Sequence, residues 1–304
     1  VTIPEAEVQQ VNVDDDSYNS DSYIFSEDGI NKNEITAEDA TGAVENARNE
    51  MIKTAEENTA LLVNAQERAK KMIETNKIHY GDCIKQMQKL ENDSIDLIIA
   101  DPPYNLNKDF GNSSDNWNDV DGWIKWSQKW LDVAITKLKP TGSIFIYGIH
   151  HYLCHLHVYL YQKDLKYRRQ IIWHYENNFS GYKNSPSANY EPILWFSKTD
   201  DYTYHQIREP YKSTERLKNK ITKNGKIWTP HPEGKHAGDV WNIPVLAGKI
   251  FAKEKVEHPT QKPLAICDRI IKHFSNENDL VLIPFGGSGS ECVSAVKNNR
   301  NFIA

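Results

Sequence analysis

From Lys77 onwards, short apolar runs alternate with segments in which large aliphatic and aromatic residues recur every three or four positions. The run Ile95-Asp96-Leu97-Ile98-Ile99-Ala100 is apolar at nearly every residue, the pattern of a strand covered on both faces in a parallel sheet. Residues 77–80, 143–147, 168–175, 191–197 and 279–283 read as further strands. Trp123, Trp126, Trp130, Ala134 and Leu138 share one helical face and predict a helix ending near Pro140. Similar spacing predicts helices over 83–90 (after the turn Gly81-Asp82), 151–163 and 263–274, and a last one ending at Asn298. This alternation predicts an α/β fold built on a doubly wound, mostly parallel sheet.

Three stretches depart from that rhythm. Residues 1–34 are polar, acidic and poor in large aliphatics, which predicts a disordered leader. Residues 37–74 are strong helix formers behind a capping signal at Thr36 and Asp39. Their thin apolar stripe (Val44, Ala47, Met51, Ala55, Leu62) is expected to pack on the chain's own domain. Between 176 and 257 the periodicity lapses into a mixture of Asn, Lys, Gly, Pro, Tyr and Trp. The expected organisation is a leader over 1–34, a helical extension over 35–76, α/β structure over 77–175, an irregular region over 176–257, and a return to α/β order over 258–304. The closing Asn301-Phe302-Ile303-Ala304 looks like the opening of one more strand, so a longer protein is expected.

Charge sharpens this division. The chain of 304 residues has a net charge of −6. Its first fifty residues hold thirteen acids against Lys32 and Arg48, a balance of −11 that leaves +5 on the rest. A mildly basic body is compatible with a nucleic-acid partner. Within 176–257, basic residues are interleaved with Tyr182, Tyr190, Tyr202, Tyr204, Tyr211, Trp228 and Trp241. That mixture suits phosphate contacts and base stacking, and equally an ordinary irregular insertion with a solvated surface. The four cysteines are scattered without a C-x-x-C pair, which argues for a reducing, cytoplasmic setting and against a disulfide framework or a Cys-rich zinc site. No run is long and apolar enough for a membrane helix, so no membrane partner is expected.

Three motifs carry candidate chemistry. Asp101-Pro102-Pro103-Tyr104 follows the 95–100 strand, at the end where open α/β sheets bind ligands. The prolines fix two φ angles and keep their carbonyls as acceptors, and Tyr104 offers a flat face. The set suits a flat heterocycle carrying an exocyclic amine; a plain Pro-Pro turn after a strand has the same sequence. Phe285-Gly286-Gly287-Ser288-Gly289 links a strand to a helix, and its glycines permit close approach of a ligand to backbone and helix N-terminus. It lacks both the G-x-G-x-x-G spacing and the Lys-Ser/Thr of a Walker loop. In His258-Pro259-Thr260-Gln261-Lys262-Pro263, Thr260 and Lys262 can present a hydroxyl and a cation to a carboxylate, or simply open a helix with proline in its first turn. His150, His151, Cys154, His155 and His157 cluster, but no carboxylate completes a metal motif, and no metal is expected.

In this order and spacing, the three motifs resemble those of the DNA amino-methyltransferases of the permuted group called β, from restriction–modification systems. The resemblance runs from about Lys77 to Ala304 and takes in Gly238-Asp239-Val240-Trp241 and 211–216. It implies a Rossmann-like S-adenosylmethionine-dependent methyltransferase domain with circularly permuted motif order, and 176–257 as target-recognition region. It implies that Asp101 and the Pro102 carbonyl hold the target amine, with Pro103 shaping the turn and Tyr104 stacking on a flipped base. Asp82, Cys83, Asp101, Thr260, Lys262, Phe285, Gly287, Ser288 and Gly289 would contact S-adenosylmethionine. Lys183, Arg208, Lys212, Arg216, Lys218, Lys220, Lys223 and Lys226 would contact double-stranded DNA. A homodimer and a cognate restriction endonuclease are further expected partners. Adenine N6 is the expected target, with cytosine N4, or an inactive DNA-binding homologue, as alternatives. Two departures stand out: Ile283 replaces an acidic or amide residue usual before Pro-Phe, and the acid expected to hold the cofactor ribose would lie beyond Ala304.

Overall fold

Alternating burial along two adjacent strands decides the architecture of the region that follows residue 82. The computed structural model describes residues 37–71, 73–108, 115–178, 183–218 and 220–304. In chain order the elements are α1 (Ala37–Lys71), α2 (Cys83–Met87), β1 (Ile95–Ala100), α3 (Val120–Lys137), β2 (Leu138–Tyr147), α4 (His150–Tyr161), β3 (Lys166–His174) and β4 (Tyr190–Ser197). There follow β5 (Arg208–Glu209), α5 (Glu215–Lys218), β6 (Ile221–Lys223), β7 (Lys226–Trp228), β8 (Lys235–His236), β9 (Val240–Asn242), α6 (Leu264–Phe274), β10 (Leu280–Leu282), α7 (Ser290–Lys297) and β11 (Asn301–Ile303). Seven strands form one sheet in the order β11-β10-β1-β2-β4-β3-β9. The pairs β11–β10, β10–β1, β1–β2 and β3–β9 are parallel, and β4 runs antiparallel to both neighbours.

Leu97 and Ile99 of β1, with Phe145 and Tyr147 of β2, face one apolar layer that contains Ile266, Ile270 and Phe274 of α6 and Ala295 of α7. Ile98, Ala100, Ile144 and Ile146 face the opposite layer, with Trp130, Leu131 and Ala134 of α3 and Leu153 and Leu156 of α4. Strand side chains point alternately to opposite faces, so the uninterrupted apolar runs demand helices on both sides. The one polar residue inside β1, Asp96, accepts from Lys139 Nζ at 2.7 Å and from the Leu280 N–H at 2.9 Å, tying β1 to both neighbours. This is the doubly wound, mostly parallel sheet that the alternation predicts.

Several details differ from the sequence reading. Strand β2 begins at Leu138, taking in the Pro140-Thr141-Gly142 stretch near which the preceding helix was expected to end. A side chain at Gly142 would meet Leu138 at 2.6 Å and the Asp96 carbonyl at 3.0 Å, so only glycine lets the chain pass there. Residues 77–80 form one isolated bridge, Lys77 to Ile303, beside β11, and the His79 N–H donates to the Ala304 carbonyl at 2.6 Å; the side chains of Ile78 and Tyr80 are exposed. Apart from β4, the strands within 176–257 are only two or three residues long, too short for alternation to register. One of them, β9, extends the main sheet, and β6 and β7 form a hairpin across Asn224-Gly225, both with positive φ, the signature of a tight two-residue turn.

Contacts divide the chain between Ala65 and Gln66, within α1. Within its own unit, the described side chains of α1, residues 41–63, are exposed. The predicted leader over 1–34 lies outside the described residues. Among the described residues no helix is long and apolar enough to cross a membrane.

Candidate active site at the carboxyl ends of the parallel strands

Strand β1 ends at Ala100, and the next residues leave the sheet as a loop pinned from several sides. Trp123 of α3 donates its indole N–H to the Pro103 carbonyl at 2.8 Å. Asn105, in the left-handed region at φ 58°, accepts from the Trp117 N–H at 2.9 Å and donates to the Tyr152 hydroxyl at 3.3 Å. The Leu106 and Lys108 N–H groups donate to the carboxylate of Asp115, a buried side chain. A loop so held presents its side chains in one arrangement, which is what a site needs when positioning does most of the catalytic work.

The carboxylate of Asp101 meets a cation and a hydroxyl from distant parts of the chain. Its Oδ1 accepts from the Tyr104 hydroxyl at 2.6 Å, and its Oδ2 lies 3.0 Å from Lys262 Nζ. Lys262 is only 4% exposed and also reaches the Tyr104 hydroxyl at 3.1 Å and Glu191 Oε2 at 3.4 Å. Burial alone would depress the Lys262 pKa, but the negative charges of Asp101 and Glu191 outweigh it and raise it above the ordinary lysine value. Burial, then repulsion from Asp101 and Glu191, holds the Tyr104 hydroxyl well above the usual tyrosine range. Both therefore stay protonated at neutral pH and act as donors. The resemblance implies that Lys262 contacts the cofactor; here its ammonium is turned inward, onto Asp101 and Glu191.

The glycine turn lies across from this cluster. Phe285 packs edge-on against Trp130, with ring centroids 5.2 Å apart. Gly289, at φ 79°, precedes α7 in the left-handed region where a side chain is strained, and its N–H donates to the Gly286 carbonyl at 2.7 Å. Asp101, Pro102, Pro103 and Tyr104 on one side, and Phe285 and Gly287 on the other, line one cavity of about 260 Å³. Leu106, Lys108, Asp115, His258 and Thr260 complete its wall.

Of the residues expected to contact the cofactor, Asp101, Thr260, Phe285 and Gly287 thus line the cavity. Ser288 and Gly289 belong to the same turn, with Ser288 Oγ 3.0 Å from Ser290 Oγ. Asp82 and Cys83 are not among the lining residues: Asp82 caps α2 by accepting from the Lys85 N–H at 2.9 Å, and burial pushes the Cys83 thiol up to about 11. Of the expected DNA contacts, Lys183, Lys212, Lys218, Lys220, Lys223 and Lys226 are exposed. Lys223 and Lys226 pair across the β6–β7 hairpin. Arg208 is half-buried, donating to the Gly234 carbonyl at 3.0 Å. The side chain of Arg216 lies outside the described residues. No cluster of His, Cys, Asp and Glu able to hold a metal ion is found among the described residues.

The motifs do not include Glu191 and Glu291, and both carboxylates matter to the electrostatics. Glu291, in the first turn of α7, is 4% exposed, and its Oε1 has no hydrogen-bond partner among the described residues. Burial raises its pKa to about 7, with the Asp101 charge adding to the shift. In the unfolded chain it titrates near 4.5, so its contribution to stability is present below that value and lost as pH rises through 7. Glu291→Gln is therefore expected to melt like the parent at pH 4.5 and to be the more stable protein at pH 8, by up to about 3 kcal/mol. Melting temperatures of both proteins across that range check this; a difference independent of pH would contradict it.

An α/β sheet with an Asp-Pro-Pro-Tyr loop and a glycine turn around one cavity is the arrangement that the resemblance to the DNA amino-methyltransferases implies. Residues 95–304 match the N6_N4_Mtase family, described as DNA methylase. The chain belongs to this family, the S-adenosylmethionine-dependent DNA methyltransferases acting on adenine N6 or cytosine N4. Over 241 residues it is 37% identical to the Type II methyltransferase M1.MboII of Moraxella bovis, covering 76% of this chain and 92% of that protein. It is 31% identical over 234 residues to the DNA adenine methyltransferase YhdJ of Escherichia coli (strain K12), covering 76% and 78%. Among solved structures, the PvuII DNA methyltransferase (cytosine-N4-specific) shares the fold, with a TM-score of 0.54 at 18% identity over 76% of this chain and 82% of that one. Residues 1–79 match a family described only as a protein of unknown function.

Proposed function

We propose that this protein methylates adenine at N6 within a specific sequence of double-stranded DNA. The observation that carries the reading is the single cavity shared by Asp101–Tyr104 and the Phe285–Gly287 turn. The cavity suits S-adenosylmethionine: Phe285 supplies an apolar wall, Gly287 lets the backbone approach, and Thr260 brings a hydroxyl. A side chain at Gly287 would close on the His258 ring at 3.5 Å and narrow that space. When bound, the cofactor supplies an electrophilic methyl group on a sulfonium.

The chain's own residues do the rest by orientation. Asp101 accepts an N–H bond from the exocyclic amine, which draws the nitrogen lone pair out of conjugation with the ring. The same carboxylate takes up the proton that nitrogen loses as its new bond to carbon forms. Tyr104 offers its face to the base, which has to leave the duplex stack to reach the site. Pro102 and Pro103 hold carboxylate and ring in register. The exposed lysines of 183–226 are the candidate phosphate contacts, and a homodimer and a partner endonuclease remain part of this reading.

An aspartate at the head of the Pro-Pro-Tyr motif favours adenine, as does the name of YhdJ; the PvuII enzyme keeps cytosine N4 as the competing target. Incubation of duplex DNA with methyl-labelled S-adenosylmethionine, followed by nucleoside analysis, is expected to place the label in N6-methyladenine. Label in N4-methylcytosine would overturn the choice of base, and unlabelled DNA the catalytic reading itself.

A further inference from the structure

Glu191 belongs to none of the motifs, yet topology brings it to the catalytic loop. Because β4 runs antiparallel to its neighbours, its first residues lie at the edge where the parallel strands end. Glu191 Oε2 there faces two donors, each at 3.4 Å: Lys262 Nζ and the Tyr104 hydroxyl. The hydroxyl now donates to Asp101 Oδ1 at 2.6 Å, while Asp101 Oδ2 holds Lys262. Both oxygens of the carboxylate that must receive the substrate amine are thus engaged inside the protein.

We infer that Glu191 is a positioning residue for Asp101, standing as the second acceptor for the Tyr104 hydroxyl so that Asp101 can exchange that hydroxyl for the substrate amine. This rests on the methyltransferase reading above. A buried donor left without a partner costs about 1–3 kcal/mol, which would oppose the exchange. With Glu191 in place, rotation of one O–H bond moves the donor from one carboxylate to the other, and no buried donor is orphaned. Lys262 reaches both carboxylates, Asp101 at 3.0 Å and Glu191 at 3.4 Å, and so keeps the second acceptor beside the first.

A double-mutant cycle tests this on the full chain, with melting curves to confirm folding. Glu191→Ala is expected to lower kcat about tenfold with the KM for DNA unchanged, since the orphaned hydroxyl stays on Asp101. In a Tyr104→Phe background, which keeps the ring and removes the donor, the same substitution is expected to cost less than about twofold. An equal loss in both backgrounds, or none in the parent, overturns the inference. Glu191→Gln keeps an acceptor oxygen at the same reach and is expected to lose only about threefold in kcat. A loss equal to that of Glu191→Ala overturns the inference without recourse to the Tyr104→Phe protein. A parent protein that leaves DNA unmethylated would instead overturn the proposed function.

Discussion

Asp101→Asn is expected to slow methyl transfer by about a thousandfold while changing S-adenosylmethionine affinity by no more than a few-fold. A positioned acceptor of this kind contributes roughly 10²–10⁴ in rate. Asparagine keeps the shape of the side chain but replaces one acceptor oxygen with an NH₂ group. Turned one way, that group faces the Lys262 ammonium, now 3.0 Å from Oδ2; turned the other way, it faces the incoming amine. Either orientation sets donor against donor. The wall made by Phe285, Gly287 and Thr260, where the proposed function seats the cofactor, is untouched. Single-turnover transfer to duplex DNA measures the first quantity and calorimetry the second. Retention of more than a tenth of the parent rate would remove Asp101 from the role assigned to it.

Legibility in the sequence follows the range over which each signal acts. Strand β1 and its Asp-Pro-Pro-Tyr exit are readable because burial on both faces writes an unbroken apolar run, and two prolines end it. The glycine turn is readable for a similar local reason: Gly289 sits at a φ that other residues adopt only under strain. Short strands such as β9 leave no periodic trace, although the Asn224-Gly225 pair is a turn signal in its own right. The company kept by Lys262 is illegible for a different reason. Its partners lie on β4 and on the loop after β1, far off in sequence, and only the antiparallel insertion of β4 brings Glu191 to that edge. A lysine beside a cofactor motif reads as a cofactor ligand, and nothing local announces the two carboxylates beside it.

Lys262→Met is expected to damage stability and catalysis together, because one ammonium serves two carboxylates. Removing one partner of a buried ion pair costs about 3–5 kcal/mol, and the lower end applies here since Asp101 and Glu191 each keep about a fifth of their side-chain surface exposed. A drop in melting temperature of about 6–12 °C at pH 8 follows for a domain of this size. The raised pKa of Lys262 means that it stays charged throughout neutral pH, so the parent's own curve does not change there on its account. In the variant Asp101 and Glu191 keep the Tyr104 hydroxyl between them, at 2.6 Å and 3.4 Å, but no cation. Catalysis should fall for the same cause, since an Asp101 no longer held by Lys262 leaves the position in which it has to meet the amine. Melting curves and single-turnover rates read both effects; a loss of stability with the rate unchanged would show that Lys262 acts through packing alone, against the rings of Tyr104 and Tyr147 that lie 5.2 Å from its ammonium.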